Sequence, residues 1–307
     1  MVNLVKCNLC GSTGYSVLYK TYSGDVVSEE KDYRITDHTV NMPLRIVRCE
    51  CCGLIYANPR PATRNLISAY SRMVDEAYVE EEEGRRLSAQ SILEILKKMR
   101  KGGKLLDVGC ATGFLLDEAR KTGWEASGVE LSVWAVGYAK TTLHIDTIFH
   151  GVLKNAGYPD NYFDAVIMKD SIEHLTNPMG TLTEIRRVLK PDGIICVNTP
   201  NIDSLTGRIL KARWWGVKQS HLYYFSRKTL HAMLGSAGFD PIRTKSHVRV
   251  FTLKYWLDRL RGYNEFVYRA FMFLIKCGLI KNGLFRVDLG DQIEVYARKS
   301  RNLKIEY

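Results

Sequence analysis

The sequence predicts an α/β fold built on a doubly wound parallel sheet, with a small module before it and a helical insertion near its end. Two observations carry this prediction. From Lys104 onward, short apolar runs alternate with helix-like stretches. A glycine loop, Gly109–Gly113, follows the first of these runs. Ligands of such sheets bind beyond the carboxyl ends of the strands, so the loop indicates a binding site there.

The alternating pattern predicts seven strands. They lie near 104–108, 125–129, 145–149, 163–168, 193–198, 242–249 and 289–299, the last as a closing edge strand. Helix-like stretches between them include FLLDEARKTG and GTLTEIRRVLKPDG, and we expect Pro191 and Gly193 to end the second one.

The composition is that of a globular protein: 46% of the 307 residues are hydrophobic and 25% are charged. The first ten residues have no apolar core of a secretory signal, and no run approaches 18 uncharged apolar residues. We therefore expect a cytoplasmic protein. In that setting its eight cysteines are expected as thiols or metal ligands rather than disulfides.

Two cysteine pairs define the N-terminal module, which we place at residues 1–60. KCNLCG and RCECCGLIY each contain Cys-x-x-Cys followed by glycine, a turn that aims two thiolates at one ion. Two such pairs predict a closed, structural four-thiolate zinc site; a redox pair is the alternative. The predicted ligands are Cys7, Cys10, Cys49 and Cys52. Cys51 is expected to stand outside the site, and the expected core cysteines are Cys110, Cys196 and Cys277.

Residues 61–103 form a predicted helical linker or cap. An apolar stripe at helical spacing consists of Ile92, Ile95, Leu96 and Met99. The acidic run Glu80–Glu83 before it is expected to be a solvated helix face.

The glycine loop indicates a nucleotide cofactor. Gly109 and Gly113 would let the main chain approach a ligand closely. Glu130 stands at the end of the second strand, 21 residues past Gly109, where an acid accepts hydrogen bonds from ribose hydroxyls. A dinucleotide and S-adenosylmethionine both fit these features, but Gly-Cys-Ala-Thr-Gly-Phe lacks the dinucleotide glycine spacing.

The stretch LDVGCATG resembles motif I of the class I S-adenosylmethionine-dependent methyltransferases, and the segments 158–178 and 184–201 resemble later parts of that fold. The resemblance implies a Rossmann-like seven-stranded sheet over 104–307, with Asp107 near the methionyl amine and Glu130 on the ribose. The candidate cofactor residues are Asp107, Gly109, Cys110, Ala111, Gly113, Glu130, Leu131 and Asp170.

One position departs from the family pattern. Many relatives carry an aspartate after the third strand that contacts the adenine amino group, whereas this chain has Val152 and Leu153 there. Backbone groups or Asn155 would then contact adenine.

Methyl transfer to a hydroxyl or carbon acid requires removal of a proton. Glu173 and His174, in KDSIEHL just past the fourth strand, are the first candidates; a structural pair that orders the loop is the alternative. His221 is the second candidate, because the aromatics of WWGVKQSHLYYFS suit an acceptor pocket. Alternatively these aromatics are core and His221 satisfies a backbone carbonyl.

The acceptor is expected to be a sugar, nucleotide-linked, lipid-linked or in a polysaccharide, methylated on oxygen or carbon. EHL resembles sugar and quinone methyltransferases, and HLYYFS resembles polysaccharide-pathway relatives. A quinone or small-aromatic O-methyltransferase is the first alternative, and an RNA methyltransferase the second. Lys-Asp-Ser-Ile replaces the Asn/Asp-Pro-Pro-aromatic motif typical of base-amine enzymes, which argues against an exocyclic amine.

A basic insertion is expected at about 251–286. Residues 201–287 contain sixteen Lys/Arg against four Asp/Glu, and Phe266–Ile280 is apolar apart from two cations. The segment 254–286 suits an amphipathic helix on the inner face of the cell membrane; a lid on the catalytic domain or a homodimer contact are the alternatives. Its bulky apolar residues argue against nucleic acid as partner.

Overall fold

A computed structural model of the chain describes residues 2–20, Arg34, Thr36, 44–261 and 263–300. The strands are β1 (Val2–Asn3), β2 (Tyr15–Tyr19), β3 (Ile46–Cys49), β4 (Ile55–Ala57), β5 (Arg60–Pro61), β6 (Gly103–Val108), β7 (Trp124–Glu130), β8 (Ile148–His150), β9 (Phe163–Lys169), β10 (Leu189–Pro200), β11 (Tyr223–Tyr224), β12 (Phe239–Ser246), β13 (Arg249–Thr252), β14 (Leu284–Val287) and β15 (Gln292–Lys299).

The helices are α1 (Thr63–Arg72), α2 (Glu76–Glu80), α3 (Glu82–Met99), α4 (Phe114–Lys121), α5 (Val133–Thr142), α6 (Pro178–Val188), α7 (Leu205–Leu210), α8 (Arg227–Ser236), α9 (Leu253–Arg261) and α10 (Glu265–Lys276). Short 3-10 helices lie at Leu153–Asn155, Ile172–His174 and Lys211–Arg213.

The main sheet has seven strands in the order β12-β15-β10-β9-β6-β7-β8. Strands β8, β7, β6, β9 and β10 pair in parallel, and β15 lies antiparallel between β10 and β12. The order reverses at β6 and β9, which creates the switch point where such sheets bind ligands. The predicted doubly wound, seven-stranded α/β fold is confirmed.

Several predicted boundaries differ from the structure by a few residues: β12 begins at Phe239 rather than near 242, and β15 at Gln292 rather than near 289. Two further differences have a local cause. Strand β8 begins at Ile148 rather than at Ile145, because Ile145 bonds to the carbonyl of Ala139 at the end of α5 and is buried there. Helix α6 ends at Val188, before the predicted stop at Pro191 and Gly193. Those residues lie instead in the irregular start of β10, where the pairing register with β9 shifts.

Alternating side chains of the parallel strands fill two apolar layers, one on each face of the sheet. Leu105, Ile167 and Cys196 pack with α3, α4 and α5 on one face. Leu106 and Val166 pack with α6 and α8 on the other face. The helices therefore cover both faces, and the carboxyl edge of the strands is left for the loops that form the site.

The N-terminal module forms a four-stranded antiparallel sheet in the order β11-β4-β3-β2. Its fourth strand comes from residues 223–224, and its buried side chains join the core on one face of the main sheet. The module is therefore tied to the methyltransferase-like sheet by a strand and by shared packing. Parts of the predicted 1–60 module (21–33, 35 and 37–43) and residues 301–307 lie outside the described residues.

The segment before the main sheet is helical, as expected, and Ile92 and Leu96 of the predicted stripe are fully buried on α3. The acidic run does not form a uniformly solvated face. Glu81 is buried and its carboxylate accepts hydrogen bonds from the backbone N–H and the hydroxyl of Thr252. It thereby joins the helical cap to the insertion, a long-range contact without a local sequence signal.

The insertion consists of the β13–β14 hairpin with α9 and α10 between its strands. Helix α10 exposes large apolar side chains, including Phe266 and Phe273. Cys277, at its end, is exposed, so its predicted place in the core is wrong; Cys110 and Cys196 are buried as expected. Within the described part of the chain, every helix is too short or too polar to cross a bilayer.

Candidate active site

The glycine loop joins β6 to α4 through a backbone that only glycine adopts easily. Gly109 has φ +81° and Gly113, the residue that precedes α4, has φ +85°. A Cβ on Gly109 would stand 2.8 Å from Cβ of Ser171. The loop therefore runs tightly against the segment that follows β9, and Ala111 between the glycines also has a positive φ of 46°.

Glu130 at the end of β7 holds the loop in place. One carboxylate oxygen accepts the N–H of Ala111 at 2.9 Å, and the other accepts those of Leu131 at 2.7 Å and Ser132 at 2.8 Å. Burial raises the pKa of Glu130, and these three donors oppose that rise. Each carboxylate oxygen has two lone pairs, so the oxygen toward Ala111 can accept one more hydrogen bond.

Three buried polar atoms around the loop have no hydrogen-bond partner within the described structure. They are Oδ1 of Asp107 and the hydroxyls of Thr112 and Ser171. Burial raises the pKa of Asp107 to about 7, with Lys169 opposing and Glu130 adding to the rise. Unpartnered buried polar groups are costly, so these atoms fit a ligand that carries its own donors and acceptors. Thr112 and Ser171 were not among the cofactor residues predicted from the sequence.

The other predicted cofactor residues differ in what they offer. Cys110 turns its sulfur into the core beside Gly128, so its side chain is not available to a ligand. Leu131 offers backbone groups, and its carbonyl lies 2.9 Å from Nε2 of His150. Asp170 lies on the wall of the neighbouring cavity, bonded to Lys169 at 3.0 Å. Although burial opposes it, Lys169 holds the pKa of Asp170 well below its usual range.

On the expected adenine side, Leu153 is buried in the core and begins a short 3-10 helix. Asn155 is exposed at the end of that turn. Its contact with adenine stays a prediction.

A cavity opens beyond β9 and is lined by the predicted catalytic residues Glu173, His174 and His221. Glu173 is 2% exposed, and its carboxylate accepts a hydrogen bond from the hydroxyl of Thr199 at 2.8 Å. Burial raises the pKa of Glu173 to about 8, and the negative charge of Asp170 adds to the rise. A carboxyl group with a pKa in this range exchanges protons near physiological pH.

His174 and His221 face one another in the same cavity, with ring centroids 4.7 Å apart. Nδ1 of His174 lies 2.9 Å from the carbonyl of Ser220, and Nδ1 of His221 lies 2.8 Å from that of Gly216. A carbonyl only accepts, so this geometry assigns the hydrogen of each ring to Nδ1 and leaves Nε2 with its lone pair.

Burial keeps both imidazoles neutral. It lowers the pKa of His174 to about 4 and holds that of His221 well below its usual value. Nε2 of His174 lies 4.0 Å from the Glu173 carboxylate. The cavity therefore holds two neutral bases beside a carboxyl group that retains its proton up to about pH 8.

The aromatic residues of WWGVKQSHLYYFS were predicted to line an acceptor pocket, and this is correct for the two tryptophans but wrong for the later residues. Trp214 and Trp215 line the cavity, and Trp215 donates a hydrogen bond to Asp291 at 2.7 Å. Tyr223, Tyr224 and Phe225 are buried in the hydrophobic cores, because β11 pairs with β4 of the N-terminal module. Tyr223 and Phe225 pack in one core and Tyr224 in another, because successive side chains of a strand point to opposite faces. The pairing of β11 with β4 has no local sequence signal.

Several cavity residues were not predicted from the sequence. They are Arg85, Lys218, His247, Arg249, Phe251, Tyr255, Arg259 and Asp291. Most of these come from the cap, from the insertion or from the turn before β15, far apart in the chain.

Two side-chain clusters in the described residues have a spacing that could hold a metal ion. The thiols of Cys7, Cys10, Cys49 and Cys52 lie within 4.8 Å of one another, with two sulfur pairs at 3.5 Å. Cys51 is exposed beside them. Glu173, His174 and His221 form the second cluster, also within 4.8 Å.

Known proteins with similar sequences are enzymes that transfer methyl groups. A ubiquinone biosynthesis O-methyltransferase from Cereibacter sphaeroides is 29% identical over 161 residues, 48% of this chain and 64% of that protein. A demethylmenaquinone methyltransferase from Staphylococcus saprophyticus is 28% identical over 180 residues, 50% of this chain and 77% of that protein. The match thus spans less than two thirds of the first of these relatives. Among solved structures, the YcgJ protein from Bacillus subtilis is 16% identical with a TM-score of 0.48, over 70% of this chain and 99% of that one.

A family model described as "Methyltransferase domain" matches residues 80–244. The matched segment is more than half of the 307 residues and includes the glycine loop, Glu130 and the Glu173–His174 pair. It confirms the class of enzyme that the glycine loop and its flanking strands predicted. The chain belongs to the methyltransferase domain family.

Proposed function

We propose that the protein transfers a methyl group from S-adenosylmethionine to a hydroxyl group of a small molecule. The observation that carries this proposal is the cluster of Glu173, His174 and His221 on the wall of a cavity just beyond β9. The glycine loop follows β6, the strand next to β9, so both sites share the carboxyl edge of the sheet.

The atoms around the glycine loop fit this cofactor. Asp107 would accept a hydrogen bond from the methionyl amine, and the free lone pair of Glu130 would accept one from a ribose hydroxyl. Bound S-adenosylmethionine supplies a methyl group that is already activated on a sulfonium. The remaining tasks of the protein are to align the acceptor and to remove its proton.

The cavity residues suit that proton transfer. Nε2 of His174 accepts the proton of the acceptor hydroxyl, and the Glu173 carboxylate 4.0 Å away stabilises the imidazolium that results. His221 provides a second neutral Nε2 beside the first. The ionised form of Glu173 is needed, so activity should rise with pH through the pKa of about 8.

For the acceptor we favour an aromatic ring hydroxyl over the expected sugar. Four aromatic side chains, Trp214, Trp215, Phe251 and Tyr255, line the cavity and suit a flat ring. The relatives named as quinone-pathway methyltransferases support the same choice, whereas no relative described above acts in a polysaccharide pathway. A sugar hydroxyl remains the second candidate, since the same base cluster would serve it.

An activity assay tests this proposal. Purified protein would receive methyl-labelled S-adenosylmethionine and a panel of catechols, dihydroxybenzoates, hydroquinones and nucleotide sugars. We expect label in one or more phenolic acceptors. Label only in nucleotide sugars would show that the acceptor is a sugar rather than an aromatic ring. Absence of S-adenosylmethionine binding in calorimetry would refute the proposed function as a whole.

We also propose a structural zinc ion in the N-terminal module. Four thiolates around zinc at about 2.3 Å form a tetrahedron with sulfur separations of roughly 3.8 Å. The observed separations of 3.5 Å, within an upper limit of 4.8 Å, support such a site. A fourfold thiolate shell leaves no position for substrate, so the ion would stabilise the fold rather than take part in catalysis.

Peripheral contact with an anionic membrane surface is the third part of the proposal. Phe266 and Phe273 are exposed on α10, near the exposed cations Arg261 and Arg269. We expect co-sedimentation with vesicles of anionic lipid and loss of that binding on Phe266→Ser with Phe273→Ser. If the double variant sediments with the vesicles as strongly as wild type does, membrane contact through these side chains is refuted. If wild type is a dimer in solution and the double variant is a monomer, the exposed face of α10 is a dimer contact instead.

A further inference from the structure

The acceptor cavity is lined by guanidinium groups as well as by Glu173 and His174. They come from the cap and the insertion: Arg85 from α3, Arg249 from the start of β13 and Arg259 from α9. The guanidinium of Arg85 lies over the ring of Tyr78 and donates to the Tyr78 carbonyl, so its partners there are neutral.

Arg249 is a charged side chain in a buried position. It is 7% exposed, and one terminal N–H donates to Asp291. Its Nε has no hydrogen-bond partner in the described part of the structure. Burial lowers the pKa of Arg249, and the positive charge of Arg259 adds to this effect while Asp291 opposes it. A buried guanidinium with an open donor is expensive unless a ligand completes its hydrogen bonds.

Arg259 stands beside Arg249 and shares its surroundings. Its guanidinium lies over Tyr255 and Trp256, and it donates to the hydroxyl of Tyr255 at 2.6 Å. Its Nε is also buried without a partner among the described residues. The Arg249 guanidinium lies over the same Trp256 ring, 5.2 Å from its centroid. Both guanidinium groups therefore contact the same indole ring.

The two arginines do not have a carboxylate each among the contacts of the described residues. Asp291 is bonded to Arg249, and it also accepts the indole N–H of Trp215 at 2.7 Å. Asp170 is engaged by Lys169. The positive charges of Arg249 and Arg259 repel each other, and a bound anion would relieve that repulsion.

We infer that Arg249 and Arg259 form an anion-binding site within the acceptor cavity, which holds a phosphate or carboxylate group of the acceptor. The inference rests on the proposed methyl transfer for the identity of the ligand as acceptor. It defines the substrate class further: a small molecule with a reacting hydroxyl at one end and an anionic group at the other. It also gives the basic insertion a role in substrate recognition.

Calorimetry on the full-length protein at fixed ionic strength tests the site without an activity assay. The probes are inorganic pyrophosphate, 3,4-dihydroxybenzoate and neutral catechol. We expect at least one anion to bind saturably. Arg259→Gln should weaken it roughly 10- to 100-fold, the effect of losing a hydrogen bond between charged groups. Pyrophosphate binding indicates a phosphate group on the acceptor, and dihydroxybenzoate binding indicates a carboxylate.

The matched control is Arg243→Gln, which removes one positive charge from the exposed face of β12. The Arg243→Gln variant should bind the anion with the affinity of wild type. The Arg259→Lys variant should bind it more tightly than Arg259→Gln and more weakly than wild type. The inference is refuted if neither anion binds folded wild type, or if Arg259→Gln and Arg243→Gln weaken binding equally. Calorimetry with S-adenosylmethionine on the same samples separates this result from failure of the proposed function.

Discussion

The cofactor loop and the acceptor cavity lie at one edge of the same sheet, yet they are built in opposite ways. The loop and its support come from one continuous stretch, residues 107–132, and buried polar atoms in and beside it have no hydrogen-bond partner among the described residues. The cavity draws its walls from segments as distant as Arg85 and Asp291, and the side chains that we propose as catalytic are already bonded to protein groups.

This difference separates cofactor binding, which is a general function, from acceptor selection, which is a specific one. A short local segment whose donors and acceptors have no protein partner can bind the same nucleoside in many different proteins. Walls assembled from the cap, the insertion and the segment 214–221 can change without disturbing that loop. The comparison predicts that variants in the cavity alter turnover or acceptor binding and leave cofactor affinity unchanged, whereas variants in the loop lower cofactor affinity.

The largest effect is expected from Glu173→Gln. The amide cannot stabilise the imidazolium of His174, so kcat should fall by about 10²- to 10⁴-fold, the range for loss of acid–base catalysis. Cofactor affinity by calorimetry should stay within about twofold. Glu125→Gln, on a side chain that is 76% exposed, is the matched control and should be silent. An equal loss of cofactor affinity in Glu173→Gln would contradict the division between loop and cavity.

Asp107→Asn should act on the other region. It replaces the buried carboxyl group that we assign to the cofactor amine, so affinity for S-adenosylmethionine should fall roughly 10- to 100-fold. Binding of the anionic probe to the cavity should not change. Unaltered cofactor affinity would show that the open Oδ1 of Asp107 serves another group.

Loss of the proposed zinc ion should also disturb the cavity, because the N-terminal sheet contacts the segment that carries Glu173. β11 pairs with β4 of that sheet, the carbonyl of Leu222 accepts the N–H of Ala57, and the N–H of Leu222 donates to the Glu173 carbonyl. Cys10→Ser should therefore lower the zinc content, lower Tm by several degrees and reduce turnover, while cofactor affinity is retained. One zinc per chain is expected in wild type by elemental analysis, with Cys51→Ser as the control; a metal-free, equally stable wild type would contradict the site.

The smallest effect concerns stability. The folded-state pKa of Glu173 is about 8, above its ordinary 4.5, so the unfolded chain releases this proton first as pH rises. The contribution of Glu173 to the free energy of unfolding therefore falls between about pH 4.5 and 8. Glu173→Gln, which cannot ionise, should raise Tm by a few degrees at pH 8 and by less at pH 5. A Tm difference independent of pH would contradict the raised pKa.

The sequence predicted what depends on local pattern. Seven strands, the glycine loop and Glu130 follow from periodicity and spacing within short windows, and all are found where expected within a few residues. Glu173, His174 and His221 were also identified, although their meeting in one cavity required the pairing of β11 with β4.

Long-range contacts could not be predicted from the same patterns. Glu81 is buried and binds Thr252, 171 residues away, and Cys277 is exposed at the end of α10, a helix with no buried residue. The arginines of the cavity appeared only as part of a basic segment. Their function depends on which of them the insertion brings to the cavity, and charge counts do not contain that information.

Transfer of label from methyl-labelled S-adenosylmethionine in a cell lysate tests the central claim most directly. Wild type and Glu173→Gln would be incubated with the lysate, which is then divided into small-molecule, lipid, polysaccharide and RNA fractions. We predict label from wild type in small molecules that an anion exchanger retains, and none from Glu173→Gln. Label in RNA or polysaccharide, or equal labelling by the two proteins, would contradict the account.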